Sequence, residues 1–252
     1  MTKRRILRLS GADTYDFLQG LITNDVTKAK QGLIYAALLT PQGKYMADFF
    51  VVADGDDILL DVDDSLGDLL VQRLTMYKLR AAVEISATDL HLHRGTGAPP
   101  ADAYADPRTA AMGWRAYRDT AQNDDTTDWD ALRVAQVVPE TGIELTPDTF
   151  ILEAGFDRLN GVDFRKGCYV GQEVTARMRH KTTLRKGLVG VDVTGTAPVG
   201  TELTAQGKSV GTLLTQSGER AIAYLRFDRA RGPMTADHAQ VTWTGAAPNT
   251  SD

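Results

Sequence analysis

Cys168 is the only cysteine among 252 residues, and it stands in RKGCYVGQEV, Arg165 to Val174. A thiol acts as nucleophile or metal ligand in its thiolate form, which nearby cations and a helix N-terminus favour. Arg165 and Lys166 precede it, and GQEVTARMRHK after it can begin a helix. Gly167 and Gly171 remove side chains on both flanks, permitting close approach of a ligand or another backbone. A lone cysteine ordinarily serves as a small half-buried packing residue. This setting favours instead a reactive, partly exposed thiol. One cysteine forms no internal disulfide and fits no thiolate-based metal site by itself.

The same region is strongly basic. Between Arg165 and Lys186 seven cations (Arg165, Lys166, Arg177, Arg179, Lys181, Arg185, Lys186) face one acid, Glu173, in a chain of net charge −5. Such a run is either a solvated helix face or an anion site for a carboxylate tail, a phosphate or an RNA backbone. It lacks the interleaved aromatics of single-strand RNA binders. No phosphate-loop, dinucleotide, zinc-protease or nucleophile-elbow motif is present. The four histidines do not cluster at metal-ligand spacing, so no metal site is expected, and His91 and His93 read as structural.

The elements that must hold these residues follow from periodicity. RRILRLSG reads as a strand, SGADTYDFLQGLI as a helix with a core stripe from Tyr15 to Ile22, and LIYAALLT and KYMADFFVV as strands joined by the turn PQG. DILLDVD adds a strand, Asp64 to Met76 a helix and AAVEIS a closing strand, giving a mixed α+β order. The Gly/Pro-rich stretch from His93 to Ala110 reads as a long loop, and Asp119 to Asp130 as a polar lead into the helix WDALRVAQV. Beyond Lys181, short strands broken by glycines indicate a small β-barrel or sandwich. The expected division is an α+β body over 1–181, with an internal break near 85–110, and a barrel over 182–252; the tail TGAAPNTSD is expected to fray. No stretch approaches the 18 or so apolar residues of a membrane span, and MTKRRILRLSG lacks a signal-peptide core, so a cytosolic location is expected.

KGCYVGQE, Lys166 to Glu173, followed by an arginine-rich segment, resembles the signature of the YgfZ family, folate-binding relatives of the glycine-cleavage T protein. FLQGLITNDV (17–26), LLTPQGKYMADFFVV and KGLVGVDV with VGTLL resemble other segments of that family, so the likeness runs from Ser10 to about Asp228. It implies a ring of α+β subdomains closed by a barrel, with tetrahydrofolate in a central channel. It also implies a role in iron–sulfur cluster assembly or repair, and through cluster enzymes in tRNA modification. By resemblance to T protein, Asp48 in GKYMADFF and Glu153 in LEAGFDRLNG meet the pterin. Asn24 and Tyr169 are further folate contacts, and Arg177, Arg179 and Lys181 receive the glutamate tail. Cys168 stands at the channel mouth with Lys166 and Gln172 as companions, Arg165 and Lys166 making it more acidic. The thiol passes a one-carbon unit or exchanges sulfur or a cluster with transient iron–sulfur partners. Ala47 stands where T protein has the first of two aspartates, and the Arg-Thr-Gly-Tyr-Thr-Gly segment of T protein has only a loose echo in GWRAYR. A folate-dependent aminomethyltransferase and an RNA-binding tRNA-modification factor are the alternatives.

Overall fold

The computed structural model describes residues 3–181, without the side chain of Lys181, and 183–245. The tail expected to fray lies outside the described residues from position 246 onward. Two compact units emerge, Met1–Thr127 with Asp157–Gln172, and Asp128–Phe156 with Glu173–Asp252. The boundary read after Lys181 thus stands beside a division at 127/128, 156/157 and 172/173.

In the first unit, β1 (Arg4–Ser10) leads to α1 (Thr14–Gln19), a short 3-10 turn (Val26–Lys30), β2 (Ile34–Leu39), β3 (Tyr45–Asp54), β4 (Asp57–Asp63), α2 (Asp64–Lys78) and β5 (Glu84–Ala87). The strands form one antiparallel sheet in the order β2-β3-β4-β1-β5. Alternation along a strand sends successive side chains to opposite faces. Leu7, Leu9, Ala36, Leu38, Phe49, Val51, Leu60 and Val62 therefore meet Leu18, Leu70 and Leu74 of the helices, and Ile22 just beyond α1, in one core. The other parity carries Tyr35, Asp48, Phe50 and Asp61, all of them buried as well. Burial of both faces explains why β2 reads as an unbroken apolar run rather than an alternating one. At the start of α2, Asp63 accepts the Ser65 amide at 3.0 Å, which terminates the strand and caps the helix.

The stretch expected as one long loop contains more order. β6 (His91–Gly95), β7 (Tyr104–Ala105) and β8 (Trp114–Arg118) form a three-stranded sheet in the order β6-β8-β7. These strands bury His93 and Arg115 with only Ala116 beside them and no large aliphatic side chain, so an apolar pattern could not reveal them.

In the second unit, α3 (Trp129–Gln136) is capped by Asp128, which accepts the Ala131 amide at 2.9 Å. α4 (Gln172–Lys181) is the helix expected after the cysteine, and Gln172 at its start falls in the first unit. β9 (Lys186–Thr194), β10 (Glu202–Ala205), β11 (Lys208–Ser217), β12 (Arg220–Arg226), β13 (Met234–Ala236) and β14 (Ala239–Thr242) close into a barrel in the order β10-β11-β12-β9-β14-β13. Val191, Val193, Leu203, Leu213, Leu225, Met234 and Val241 fill it, with Ala221, Ala223, Ala236 and Ala239 at the tightest positions. Closure leaves no edge strand open to pairing. Arg133 of α3 is bound to this barrel through Thr215 Oγ1 (2.5 Å) and Glu144 (2.9 Å), a buried pair whose carboxylate also accepts the Thr215 hydroxyl at 2.7 Å. Among the described residues no helix is long and apolar enough to cross a membrane.

Candidate functional site

The cysteine loop is shaped by its neighbours in the first unit. Asp163 turns the chain by accepting the amides of Arg165 and Lys166 at 2.7 and 3.2 Å, and Lys28 holds its other oxygen at 2.6 Å. Lys166 then buries its side chain and donates from Nζ to the carbonyls of Gln19 (2.8 Å), Ile22 (2.6 Å) and Asn24 (2.9 Å). Three acceptors match the three N–H bonds of an ammonium. Burial pulls this ammonium down to about 8, with Asp25 and Asp163 acting in the opposite direction. The 17–26 segment reciprocates. Thr23 Oγ1 donates to Gly161 O at 2.6 Å, and Asn24 Nδ2 donates to Tyr35 O and Asn160 O, each at 2.8 Å.

A second tie closes the far end of the loop. Gly171 has φ +81°, and a Cβ there would stand 2.6 Å from Thr40 O in the β2–β3 turn. Only glycine satisfies both the left-handed backbone and that approach. The glycine next to the thiol differs, since nothing lies within 4 Å of where a Gly167 Cβ would be. Between the two ties Cys168 is exposed and free, with Arg165 exposed and Tyr169 buried beside the Lys166 ammonium, 5.4 Å from ring centre to Nζ. Gln172 begins α4, its amide bonded to Tyr169 O at 3.2 Å. The structure therefore brings Asn24, Lys166, Tyr169 and Gln172 into the framework around Cys168. Lys166, read from the sequence as an acidifier of the thiol, directs its hydrogen bonds to the 19–24 backbone.

Asp48 occupies the sheet's other face. Its two oxygens accept the hydroxyls of Tyr35 (2.9 Å) and Tyr45 (2.6 Å). Strand register makes this possible, because Tyr35 lies opposite Phe50 and so diagonal to Asp48 on one face. Burial and the Asp48 carboxylate both push the Tyr35 hydroxyl well above its ordinary range. Farther along this face Asp61 accepts Arg4 Nε at 2.6 Å, Arg115 Nη2 at 2.6 Å and the Tyr117 hydroxyl at 3.1 Å. Arg115 lies over the Phe50 ring at 3.9 Å and Arg108 at 4.8 Å. Desolvation works to raise the Asp61 carboxyl, but Arg115 and Arg4 outweigh it and hold it down to about 2. A depressed carboxylate stabilises the fold above its unfolded value near 3.8 and ceases to do so as pH falls through 2. The stability gap between wild type and Asp61→Asn should therefore shrink by about 2 kcal/mol between pH 5 and pH 2. Urea unfolding across that range measures it, and a constant gap would contradict the assignment.

In the second unit Glu153 is buried, and its Oε2 accepts the Tyr224 hydroxyl at 2.6 Å with Lys186 Nζ at 3.7 Å. Burial, then the carboxylate, raises the Tyr224 hydroxyl far above its usual value, so it stays a donor. Glu153 lines two cavities. One of about 370 Å³ adds Met178, Arg185, Lys186 and Arg226; the other of about 290 Å³ adds Glu144, Leu188, Leu214 and Tyr224. The expected tail-binding cations sit elsewhere on α4, Arg177 exposed and Arg179 half-buried, while the Lys181 side chain lies outside the described residues. Arg185, Lys186 and Arg226 line the cavity in their place. Sequence reading also missed Tyr224, Tyr35 and Tyr45 as carboxylate partners. For Tyr35 a signal existed, since the register set by the 40–44 turn fixes which face it shares with Asp48. Among the described residues no three metal-ligating side chains converge.

Comparison with known proteins is consistent with this architecture. Residues 185–247 match the C-terminal β-barrel domain family of CAF17. The chain is 30% identical to the mitochondrial iron–sulfur cluster assembly factor IBA57 of Homo sapiens, over 98% of its own length and 83% of that protein. It is 33% identical to the mitochondrial IBA57 homolog of Mycosarcoma maydis, over 77% of this chain and 57% of that one. The fold is that of glycine cleavage system aminomethyltransferase T from Bartonella henselae, with a TM-score of 0.73 at 13% identity over 94% of this chain and 81% of that one. The T-protein-like body with its barrel thus stands as expected, and the matched relatives carry the IBA57 name rather than YgfZ. The cytosolic location is overturned, because these relatives are named as mitochondrial.

Proposed function

The chain belongs to the family of IBA57 iron–sulfur cluster assembly factors, and from that premise we propose that it works through the exposed thiol of Cys168. The observation that carries this reading is the loop. Lys166 bonds one end of the signature to the N-terminal segment and Gly171 packs the other end closely against the β2–β3 turn, leaving Cys168 exposed. A rigidly presented thiol meets a partner without first paying to order the loop. The cluster is cargo in this account. Cys168 supplies one thiolate ligand, its proton passing to solvent, and the partner supplies the remaining ligands. Iodoacetamide should modify Cys168 stoichiometrically in the native chain and remove its support of cluster insertion into an apo-protein. A fully alkylated chain that still supports insertion would rule the thiol out.

Tetrahydrofolate is proposed as the small-molecule ligand, on the fold and on Glu153. The second acceptor position of this carboxylate suits the paired N–H donors at a pterin edge, and each adjoining cavity is of the size for a ring system rather than a whole folate. Arg185, Lys186 and Arg226 add positive charge suited to a glutamate tail. Asp48 has both oxygens engaged by tyrosines and enters this proposal as a second carboxylate to be tested by Asp48→Ala. Glu153→Gln keeps an acceptor for Tyr224 while removing the charge. It should weaken tetrahydrofolate binding by roughly 1–3 kcal/mol in calorimetry. Unchanged affinity would remove Glu153 from the ligand set. An aminomethyl transfer or RNA-binding role has no further observation in its favour.

A further inference from the structure

A cavity of about 240 Å³ lies in the first unit, lined by Lys3, Arg4, His91, Leu92, Arg94, Ala121, Gln122 and Asp125. Three of these side chains are cationic and one is a carboxylate. Asp61, which pairs with Arg4, is not in the wall and is shared with Arg115. Asp64, which pairs with Lys3 at 3.6 Å, is not in the wall either.

The wall is built rather than incidental. β6 contributes His91, Leu92 and Arg94 to the lining, and the Gln122 side chain clasps the Arg94 backbone in both directions, accepting its amide at 2.9 Å and donating to its carbonyl at 2.9 Å. This clasp seats the 121–125 segment against the strand. The Arg94 and Arg4 side chains are only 15% and 16% exposed. Asp125 stands 3.7 Å from Arg94 Nε, a charge contact beyond hydrogen-bond length. Two largely buried guanidiniums in one wall repel each other, and a sheltered concavity concentrates their field. Burial first, then repulsion by Arg115, lowers the Arg94 guanidinium to about 10, with Asp125 opposing.

We infer that this cavity is a binding site for a small phosphate-type oxyanion, held by Arg94 and Arg4 with Lys3 at the mouth. An oxyanion offers several acceptors to the planar fork of an arginine and relieves the repulsion between the two guanidiniums. The volume lies below the roughly 300–1,000 Å³ of drug-sized ligands, so the ligand is inorganic phosphate or a small phosphorylated metabolite. This site shares no residue with the cysteine loop or the Glu153 cavities.

The test is a titration of the full chain with inorganic phosphate, followed by backbone amide NMR, with potassium chloride at matched ionic strength as the control. Saturable shifts confined to residues 91–94 and 121–125 are expected. Affinity should fall at least tenfold in Arg94→Gln and severalfold in Lys3→Gln, whose side chain is 82% exposed and leaves the fold intact. It should be unchanged in Lys208→Gln, which alters a separate cationic cleft on the barrel. Shifts that chloride reproduces, that never saturate, or that survive in both Arg94→Gln and Lys3→Gln would overturn the site. Repeating the titration with pyrophosphate and with a sugar monophosphate separates free phosphate from a phosphorylated metabolite.

Discussion

Lys166→Met is expected to lower the stability of the chain by about 3–4 kcal/mol, one of the largest effects available from a single side chain here. The ammonium makes three charge-assisted bonds of 2.6–2.9 Å to the carbonyls of Gln19, Ile22 and Asn24. A hydrogen bond to a charged group is worth roughly 1.5–3 kcal/mol net, and the desolvation of a buried ammonium offsets part of that sum. Methionine fills the volume but leaves three carbonyls without this donor. Lys166→Arg should fail as well, because a planar fork cannot direct its donors at three carbonyls gathered around one point. Denaturant unfolding measures both, and a methionine variant within about 1 kcal/mol of wild type would contradict the tie.

Cys168→Ala should do the opposite, abolishing support of cluster assembly while leaving the fold almost untouched. The thiol is exposed, and the loop around it is held by Lys166, Asp163 and Gly171 rather than by the cysteine. Exposed substitutions away from caps and buried networks usually stay within about 0.5 kcal/mol. Tetrahydrofolate affinity should likewise be unchanged, since the proposed ligand set centres on Glu153. Unfolding and calorimetry beside the assembly assay separate a lost thiol from a lost fold. A Cys168→Ala chain that is inactive because it is unfolded would contradict the loop account.

These two residues show what the sequence disclosed and what it hid. Closure of the C-terminal strands into a barrel rather than a sandwich emerged only with the strand order, whereas the α+β order of the first 87 residues and the short C-terminal strands were legible, because apolar periodicity and Gly/Pro punctuation mark both. The sheet of β6, β7 and β8 was not, because it buries His93 and Arg115 where a pattern reader looks for aliphatic residues. Cys168 was recognisable from its surroundings. The work of Lys166 was not, because its three acceptors are backbone carbonyls some 140 residues earlier, which carry no side-chain signature. Gly171 fell between these cases. Its freedom was legible, whereas its neighbour, the Thr40 carbonyl, emerged only with the fold. Asp48 and Glu153 were proposed by resemblance, and their tyrosine partners came only with the structure.

An exposed thiol, on a loop that Lys166 and Asp163 hold in place, is proposed to serve iron–sulfur cluster assembly. The most direct measurement is the activity of an iron–sulfur enzyme in cells lacking the endogenous factor, complemented with wild type, Cys168→Ala or Cys168→Ser at matched protein levels. Wild type alone should restore activity, with both variants folded and present. Full rescue by Cys168→Ala would contradict it.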